Sequence, residues 1–259
     1  MIMEANLLKR ILVRWLFPFG TRRRVLWGPL TGMVWQVSPT TGVAPIYSGA
    51  ERPVQAAMRR LVKSDSCVFD VGANWGIHTL FLSRLVGAGG RVWAFEPVPE
   101  VFAELQWHLA MNKCQNVTAM EYALAEREGE SMFLRGATAT QGRLDPEIAL
   151  SKPAEDRFAV PVKTVDGIVA QYALKQVDFM KIDVEGAESK VLEGAIKTME
   201  QFRPRLIIEL HNPEQDLAVA EFLCRRGFRL SRVSGPPITR PDCGWPDRRG
   251  VWGRIIAEP

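Results

Sequence analysis

Val68-Phe69-Asp70-Val71-Gly72-Ala73-Asn74-Trp75-Gly76 is a short apolar run that enters a glycine turn. Helix-like sequence follows, and Glu96 stands twenty positions beyond Gly76. This is the spacing of a nucleoside-binding crevice. An apolar strand delivers the turn, glycines admit a ligand close to the backbone, and an acid ending the next strand accepts hydrogen bonds from two ribose hydroxyls. A glycine turn alone would say little; here the strand, turn, helix and acid agree.

Outward from the turn, apolar runs alternate with helical patterns. Strands are predicted at 67-72, 91-96, about 117-122, 177-183, 205-210, 228-233 and 250-257, with helices at about 75-86, 99-112, 187-200 and 214-226 and a short one after Asp166. The alternation predicts an α/β fold with a Rossmann-like, doubly wound, mostly parallel seven-stranded sheet. It pauses from about 125 to 165, where Ser131-Met132-Phe133-Leu134 reads as a short strand and 136-157 as a polar lid on the substrate side. Ahead of the first strand, Ala56, Met58, Leu61 and Val62 carry a helical period, and Met33-Val34-Trp35-Gln36-Val37 lies in a Gly, Pro and Thr-rich stretch that reads as a hairpin. We therefore divide the chain into an extension, 1-50, and a catalytic domain, 51-259.

With 259 residues, 47% of them hydrophobic, the chain can bury a full core. Cys67, Cys114, Cys224 and Cys243 form no C-x-x-C pair, so neither a zinc site nor a disulfide framework is indicated and a reducing cytoplasm is expected. The net charge of +4 is uneven: Lys9, Arg10, Arg14, Arg22, Arg23 and Arg24 against Glu4 give residues 1-24 a net +5, leaving −1 for the rest. A phosphate-tracking surface needs its cations on the domain that reads the nucleic acid, so no nucleic-acid partner is expected. In the arm, Leu8, Ile11, Leu12 and Trp15 share a helical face with Lys9, Arg10 and Arg14 off it, and Pro18 ends the pattern. Those cations interrupt any apolar core before it reaches the length of a secretory signal or a bilayer span. Such a helix fits an anionic membrane surface, but we expect it to dock its stripe on its own domain.

Two cofactor classes compete for the crevice. A nicotinamide dinucleotide wants Gly-x-Gly-x-x-Gly, so that the pyrophosphate meets the helix N-terminus. Bulky Trp75 and polar Asn74 make a poor phosphate cradle and suit S-adenosylmethionine, which has no phosphate. Glu96 would then hold the ribose, with Pro97 beside it. The adenine would lie near Glu121 to Ala123, and the amino-acid end near Asp70, Gly72 and Asn74.

At this point the chain resembles the FkbM-type methyltransferases. The resemblance rests on Asp-Val-Gly-Ala-Asn-x-Gly at 70-76, Ala-Phe-Glu-Pro-Val-Pro at 94-99, Lys-Ile-Asp-Val-Glu-Gly-Ala-Glu at 181-188 and Arg-Pro-x-Leu-Ile-Ile-Glu at 203-209. Ile46-Tyr47-Ser48-Gly49-Ala50-Glu51 is similar to a Tyr-x-Gly-x-x-Glu element ahead of the first strand. The resemblance covers roughly 45 to 212 and implies a class I, S-adenosylmethionine-dependent methyltransferase fold, usually acting on a hydroxyl of a sugar or secondary metabolite. It also implies cofactor contacts at Asp70, Gly72, Asn74, Gly76 and Glu96, with Ala73 and Glu51 adjoining them. The segments 136-157 and 243-252 match no motif, and the acceptor is not read from them.

Methylation of an alcohol needs in-line placement, exclusion of water and removal of a proton. Asp183 closes an apolar strand, where an acid faces ligand, and Glu185 sits in the turn before a helix, where the dipole weakens it as a base. Glu188 reads as helix capping. His211 ends the neighbouring strand, titrates near neutrality and is the expected general base, with Asp183 and Glu185 beside it. The same acids and histidine could hold a divalent cation, but no spacing is diagnostic and a metal-free route is expected. His78, one turn into the first helix, is a weaker candidate, and His108 reads as a surface or packing residue. A nicotinamide-dependent oxidoreductase and a non-catalytic, membrane-associated binding module are the alternatives.

Overall fold

The computed structural model describes residues 18–38, 51–136, 142–144, 153–235 and 253–259. An antiparallel hairpin, β1 (Arg22–Arg24) and β2 (Val34–Gln36), precedes helix α1 (Arg52–Leu61). Alternation begins with β3 (Cys67–Val71), α2 (Ile77–Val86), β4 (Arg91–Phe95), α3 (Pro99–Met111) and β5 (Val117–Met120). Four strands follow: β6 (Ala123–Leu124), β7 (Gly129–Leu134), β8 (Arg143–Leu144) and β9 (Arg157–Lys163). The remainder is α4 (Val165–Gln171), β10 (Phe179–Ile182), α5 (Glu188–Glu193), α6 (Ile196–Phe202), β11 (Arg205–Leu210), α7 (Pro213–Arg225), β12 (Arg229–Arg232) and β13 (Gly253–Glu258).

The main sheet has seven strands in the order β12-β13-β11-β10-β3-β4-β5. β11, β10, β3, β4 and β5 are parallel, and β13 runs antiparallel between β11 and β12. The chain winds from β3 outward to β4 and β5, then restarts at β10 on the other side of β3 and winds the opposite way. The β3/β10 boundary is therefore the switch point where a parallel sheet opens a crevice at its carboxyl end. This is the class I methyltransferase arrangement that the resemblance implies.

Both faces of the sheet are covered, which is why its strands read as continuous apolar runs. Phe69 and Val71 point into a layer with Ile168 of α4, Leu192 of α5, Met199 of α6 and Leu223 of α7. Val68, between them, points into the other layer with Met58 of α1, Leu80 of α2 and Leu105 of α3.

The structure departs from the sequence reading in two places. The stretch expected to pause until 165 contains β9, which pairs with β6 and β7 in a separate four-stranded sheet, order β6-β9-β7-β8. Val160 and Val162 are buried there and Ala159 and Pro161 exposed, a period of two that the proline disguises. Of the expected lid 136-157, residues 137–141 and 145–152 lie outside the described residues; within the rest are β8 and a single turn of 3-10 helix, Ala154–Asp156. The helix expected over 187-200 is two helices. Gly194 ends the first, and a Cβ there would collide with the backbone carbonyl of Ala125.

The hairpin is tied to the main sheet through His108 of α3. This ring is fully buried and stacks on Trp35 at 4.0 Å between centroids. Burial pushes its pKa down to about 4. As a neutral imidazole it donates from Nδ1 to the Trp75 carbonyl at 2.9 Å and accepts the Gln36 N–H on Nε2 at 3.2 Å. The expected N-terminal helix and the 243-252 segment lie outside the described residues.

Candidate functional site

The turn after β3 is built by close backbone packing. Gly72 adopts φ +77°, and a Cβ on it would run into the carbonyl oxygen of Asp183 at the end of β10. Gly76 begins α2 at φ +95°, with its Cα side packed against Leu105. Asn74 is left-handed at φ 51°, and its Oδ1 accepts the Trp75 N–H at 2.8 Å.

Every N–H of the turn is already used within the protein. Those of Gly72 and Ala73 go to the Phe95 carbonyl at 3.0 and 2.9 Å, and that of Gly76 goes to the Ala73 carbonyl at 3.0 Å. The Asn74 N–H goes to Glu96 Oε2 at 2.9 Å. A pyrophosphate cradle needs such groups free, so the turn cannot serve as one. The chemistry of the turn therefore fits a nucleoside cofactor without phosphates.

Glu96 is 6% exposed, and its Oε1 accepts the Val98 N–H at 3.0 Å. Burial pushes its pKa up to about 7 against these two backbone donors. Two buried N–H bonds hold the carboxylate rigidly in the wall of a crevice of about 660 Å³. Gly72, Asn74, Pro97, Tyr122, Ala123, Val184 and Glu185 also line it. A second chamber of about 580 Å³ opens on the other side of Asn74 and Asp183, which line both. Its walls are Glu51, Ala73, Trp75, Ile77, His78, Lys181 and Arg254.

Ions are concentrated around the second chamber. Glu51 Oε2 lies 3.3 Å from His78 Nε2, and Glu51 Oε1 lies 3.2 Å from Arg254 Nη2. The His78 bond, reinforced by Arg254 and opposed by burial, lowers the Glu51 pKa to about 2. Arg254 Nε also bonds Glu209 Oε2 at 2.7 Å. Lys181, buried in the middle of β10, reaches Asp183 Oδ2 at 3.1 Å and Asp70 Oδ1 at 3.7 Å. Burial alone would lower its pKa, but those two carboxylates outweigh it and keep the ammonium charged.

At the mouth of β10 and β11 lies a cluster of acids around one histidine. His211 Nδ1 bonds the fully buried Glu188 Oε1 at 2.9 Å, and its Nε2 lies 3.5 Å from both Asp183 Oδ1 and Glu185 Oε2. Burial pulls the imidazole pKa down, but the Glu188 bond and the charges of Glu188, Glu185 and Asp183 push it up to about 9. Asp183 pays desolvation but is held below its ordinary pKa by Lys181 and His211, whereas burial raises Glu185. Glu185 also occupies φ 57°, an unfavourable conformation for a non-glycine residue that turns the chain from β10 into α5. Asp183, Glu185 and His211 each offer one ligand atom, all within 4.8 Å of one another.

Most residues picked out in the sequence line these chambers: Gly72, Glu96, Pro97, Ala123 and Glu185 the first, Glu51 and Ala73 the second, and Asn74 and Asp183 both. Three do not. Asp70 is fully buried beneath the turn, where it accepts the Thr79 hydroxyl at 2.6 Å and supports Lys181. Gly76 packs against Leu105 instead of facing either chamber, and Glu121 is exposed outside them while its neighbour Tyr122 lines the first. His211 also changes character. Surrounded by three carboxylates, it has its pKa pushed up to about 9, which favours the protonated ring over a free base at neutral pH. Two site residues escaped the sequence reading. Lys181 had a signal, a cation inside an apolar strand; Arg254 had none, because only the antiparallel pairing of β13 with β11 brings it to Glu209.

Comparison with known proteins identifies the scaffold. Residues 70–230 match the family model described as the methyltransferase FkbM domain. The chain is 26% identical over 200 residues to Methyltransferase 1 of Beauveria bassiana, covering 71% of this chain and 78% of that one. It is 27% identical over 198 residues to the 31-O-demethyl-FK506 methyltransferase FkbM of Streptomyces tacrolimicus, covering 65% and 75%. It is 25% identical over 163 residues to the hexuronic acid methyltransferase AglP of Haloferax volcanii, covering 62% of each. With the family model spanning the turn, Glu96 and the β10 and β11 termini, the chain belongs to the FkbM methyltransferase family.

Proposed function

We propose that this protein is an S-adenosylmethionine-dependent O-methyltransferase acting on a hydroxyl of a sugar or secondary metabolite. The observation that carries the reading is the turn at 72–76. Its N–H groups are spent inside the protein, while Glu96 is left facing the crevice as a buried acceptor for ribose hydroxyls. A relative named as a 31-O-demethyl-FK506 methyltransferase supports a hydroxyl acceptor, and one named as a hexuronic acid methyltransferase supports an acceptor of the sugar class.

The cofactor supplies an electrophilic methyl group on a sulfonium. Glu96 would hold the ribose, Tyr122 and Ala123 would border the adenine, and the chamber lined by Glu51, His78 and Arg254, where the carboxylate and guanidinium carry opposite charges, would suit the zwitterionic amino-acid end. Glu185, its pKa raised by burial, takes the proton from the acceptor hydroxyl, while Asp183 stays ionised between Lys181 and His211. His211 as imidazolium orients both carboxylates through Nε2.

Transfer of label from S-adenosyl-[methyl-³H]methionine to a panel of hydroxylated sugars and metabolites tests this. Labelled product that resists base hydrolysis, as an ether does and an ester does not, is expected. Base-labile label would point to a carboxylate acceptor instead. A cation-assisted variant rests on the convergence of Asp183, Glu185 and His211. Turnover lost on chelation and restored by magnesium would favour it over the metal-free route.

A further inference from the structure

The hairpin that precedes the catalytic sheet displays apolar side chains outward in a strongly basic setting. Leu26 is 65% exposed and Trp27 53%, in a loop whose neighbours Val25 and Leu30 are buried at 2% and 4%. The exposure is built into the fold. Gly32 N–H returns to the Val25 carbonyl at 2.8 Å, Met33 N–H to Leu30 at 3.0 Å, and Arg84 of α2 clamps the loop through the carbonyls of Pro29 and Thr31 at 2.7 and 2.9 Å. With Val25 and Leu30 committed to the core, Leu26 and Trp27 are held in solvent.

Arg22, Arg23 and Arg24 are all exposed on the adjoining strand and make no ion pair among the described residues. Among the described residues their contacts are with a ring and backbone oxygens: Arg22 over Trp107, Arg23 to the Arg22 carbonyl and Arg24 to the Gly32 carbonyl. The sequence from 5 to 50 contains six cations and no acid, whereas the rest of the chain is close to neutral.

We infer that this hairpin face docks the protein on an anionic lipid surface, with Leu26 and Trp27 entering the headgroup boundary and Arg22 to Arg24 meeting lipid phosphates. Membrane association of this kind needs two weak signals together, an apolar insertion and a basic patch, and both occur here within six residues. An indole beside an aliphatic side chain suits the interface between headgroups and acyl chains. A nucleic-acid backbone would reward the arginines but not an exposed leucine. Attachment would be peripheral, since among the described residues no helix is long and apolar enough to cross a membrane.

Flotation of the full chain with phosphatidylcholine vesicles, with and without phosphatidylglycerol, tests the inference. The protein should float with the phosphatidylglycerol vesicles alone and be released by high salt. Leu26→Ser/Trp27→Ser and, separately, Arg23→Glu should each cut the bound fraction roughly tenfold, with unchanged melting and unchanged S-adenosylhomocysteine binding as controls for folding. Failure of the full chain to float, equal flotation with both vesicle types, wild-type flotation of both variants, or retention of RNA without vesicle binding would each overturn it. None of these outcomes depends on which methyl acceptor the site uses.

Discussion

Glu188 and His211 are joined by a 2.9 Å bond between a fully buried carboxylate and an imidazole Nδ1. Glu188 Oε1 also accepts the Gly186 N–H at 3.0 Å, so one carboxylate fixes both the turn after β10 and the ring at the end of β11. This makes Glu188 more than the helix cap its sequence position suggests. With Asp183 and Glu185 on the other side of the ring, it sets the charge state of the cluster.

The pH dependence of stability should show this pairing. His211 has a folded pKa of about 9, raised above its ordinary 6.5. Its contribution is therefore fully present below pH 6.5 and is lost as pH rises through about 9. Glu188→Gln should lower the imidazole pKa by about one unit or more, measured by NMR titration of the ring. An unchanged His211 pKa in that variant would contradict the role given to Glu188.

Cofactor affinity should depend on pH through Glu96. Its pKa of about 7 describes the free protein, and ribose hydroxyls donate best to the ionised form. S-adenosylhomocysteine binding should therefore weaken as pH falls below 7, by roughly tenfold per unit. Glu96→Gln should flatten the profile, and Glu96→Ala should lose about 3 kcal/mol of binding, near a hundredfold. Calorimetry at several pH values reads both.

Gly72→Ala places a Cβ against the Asp183 carbonyl at a left-handed backbone position. We expect a loss of at least about 2 kcal/mol of folding stability. Urea denaturation measures it, and a stability within error of wild type would mean that β3 and β10 do not meet as closely as described.

Within the reacting cluster, Glu185→Gln should leave S-adenosylhomocysteine affinity nearly unchanged and reduce turnover by about a hundredfold or more. His211→Ala should also spare cofactor affinity and reduce turnover, because the carboxylates lose the cation that orients them. Normal turnover of Glu185→Gln would return the base role to another residue.

The fold was legible because both faces of the main sheet are covered, so each parallel strand announces itself as an apolar run, as Cys67–Val71 and Arg205–Leu210 do. β9 was not, because Pro161 sits inside its alternation and its partners β6 and β7 are a short strand and a distant one. The glycine-turn side of the candidate site was largely readable, since Gly72, Asn74 and Glu96 come together at one crevice through local turn geometry. The charge state of His211 was not, because it depends on Glu188, 23 positions away in sequence. Arg254 was invisible for the same reason, being 45 positions from Glu209 and 203 from Glu51.

The central claim is that the chambers on either side of Asn74 and Asp183 together take S-adenosylmethionine. Calorimetric titration of the purified protein with S-adenosylhomocysteine, methylthioadenosine and a nicotinamide dinucleotide tests it most directly. The account predicts one site for S-adenosylhomocysteine, binding roughly tenfold or more weaker for methylthioadenosine, which lacks the amino-acid end, and no binding of the dinucleotide. Binding of the dinucleotide with no response to S-adenosylhomocysteine would contradict it.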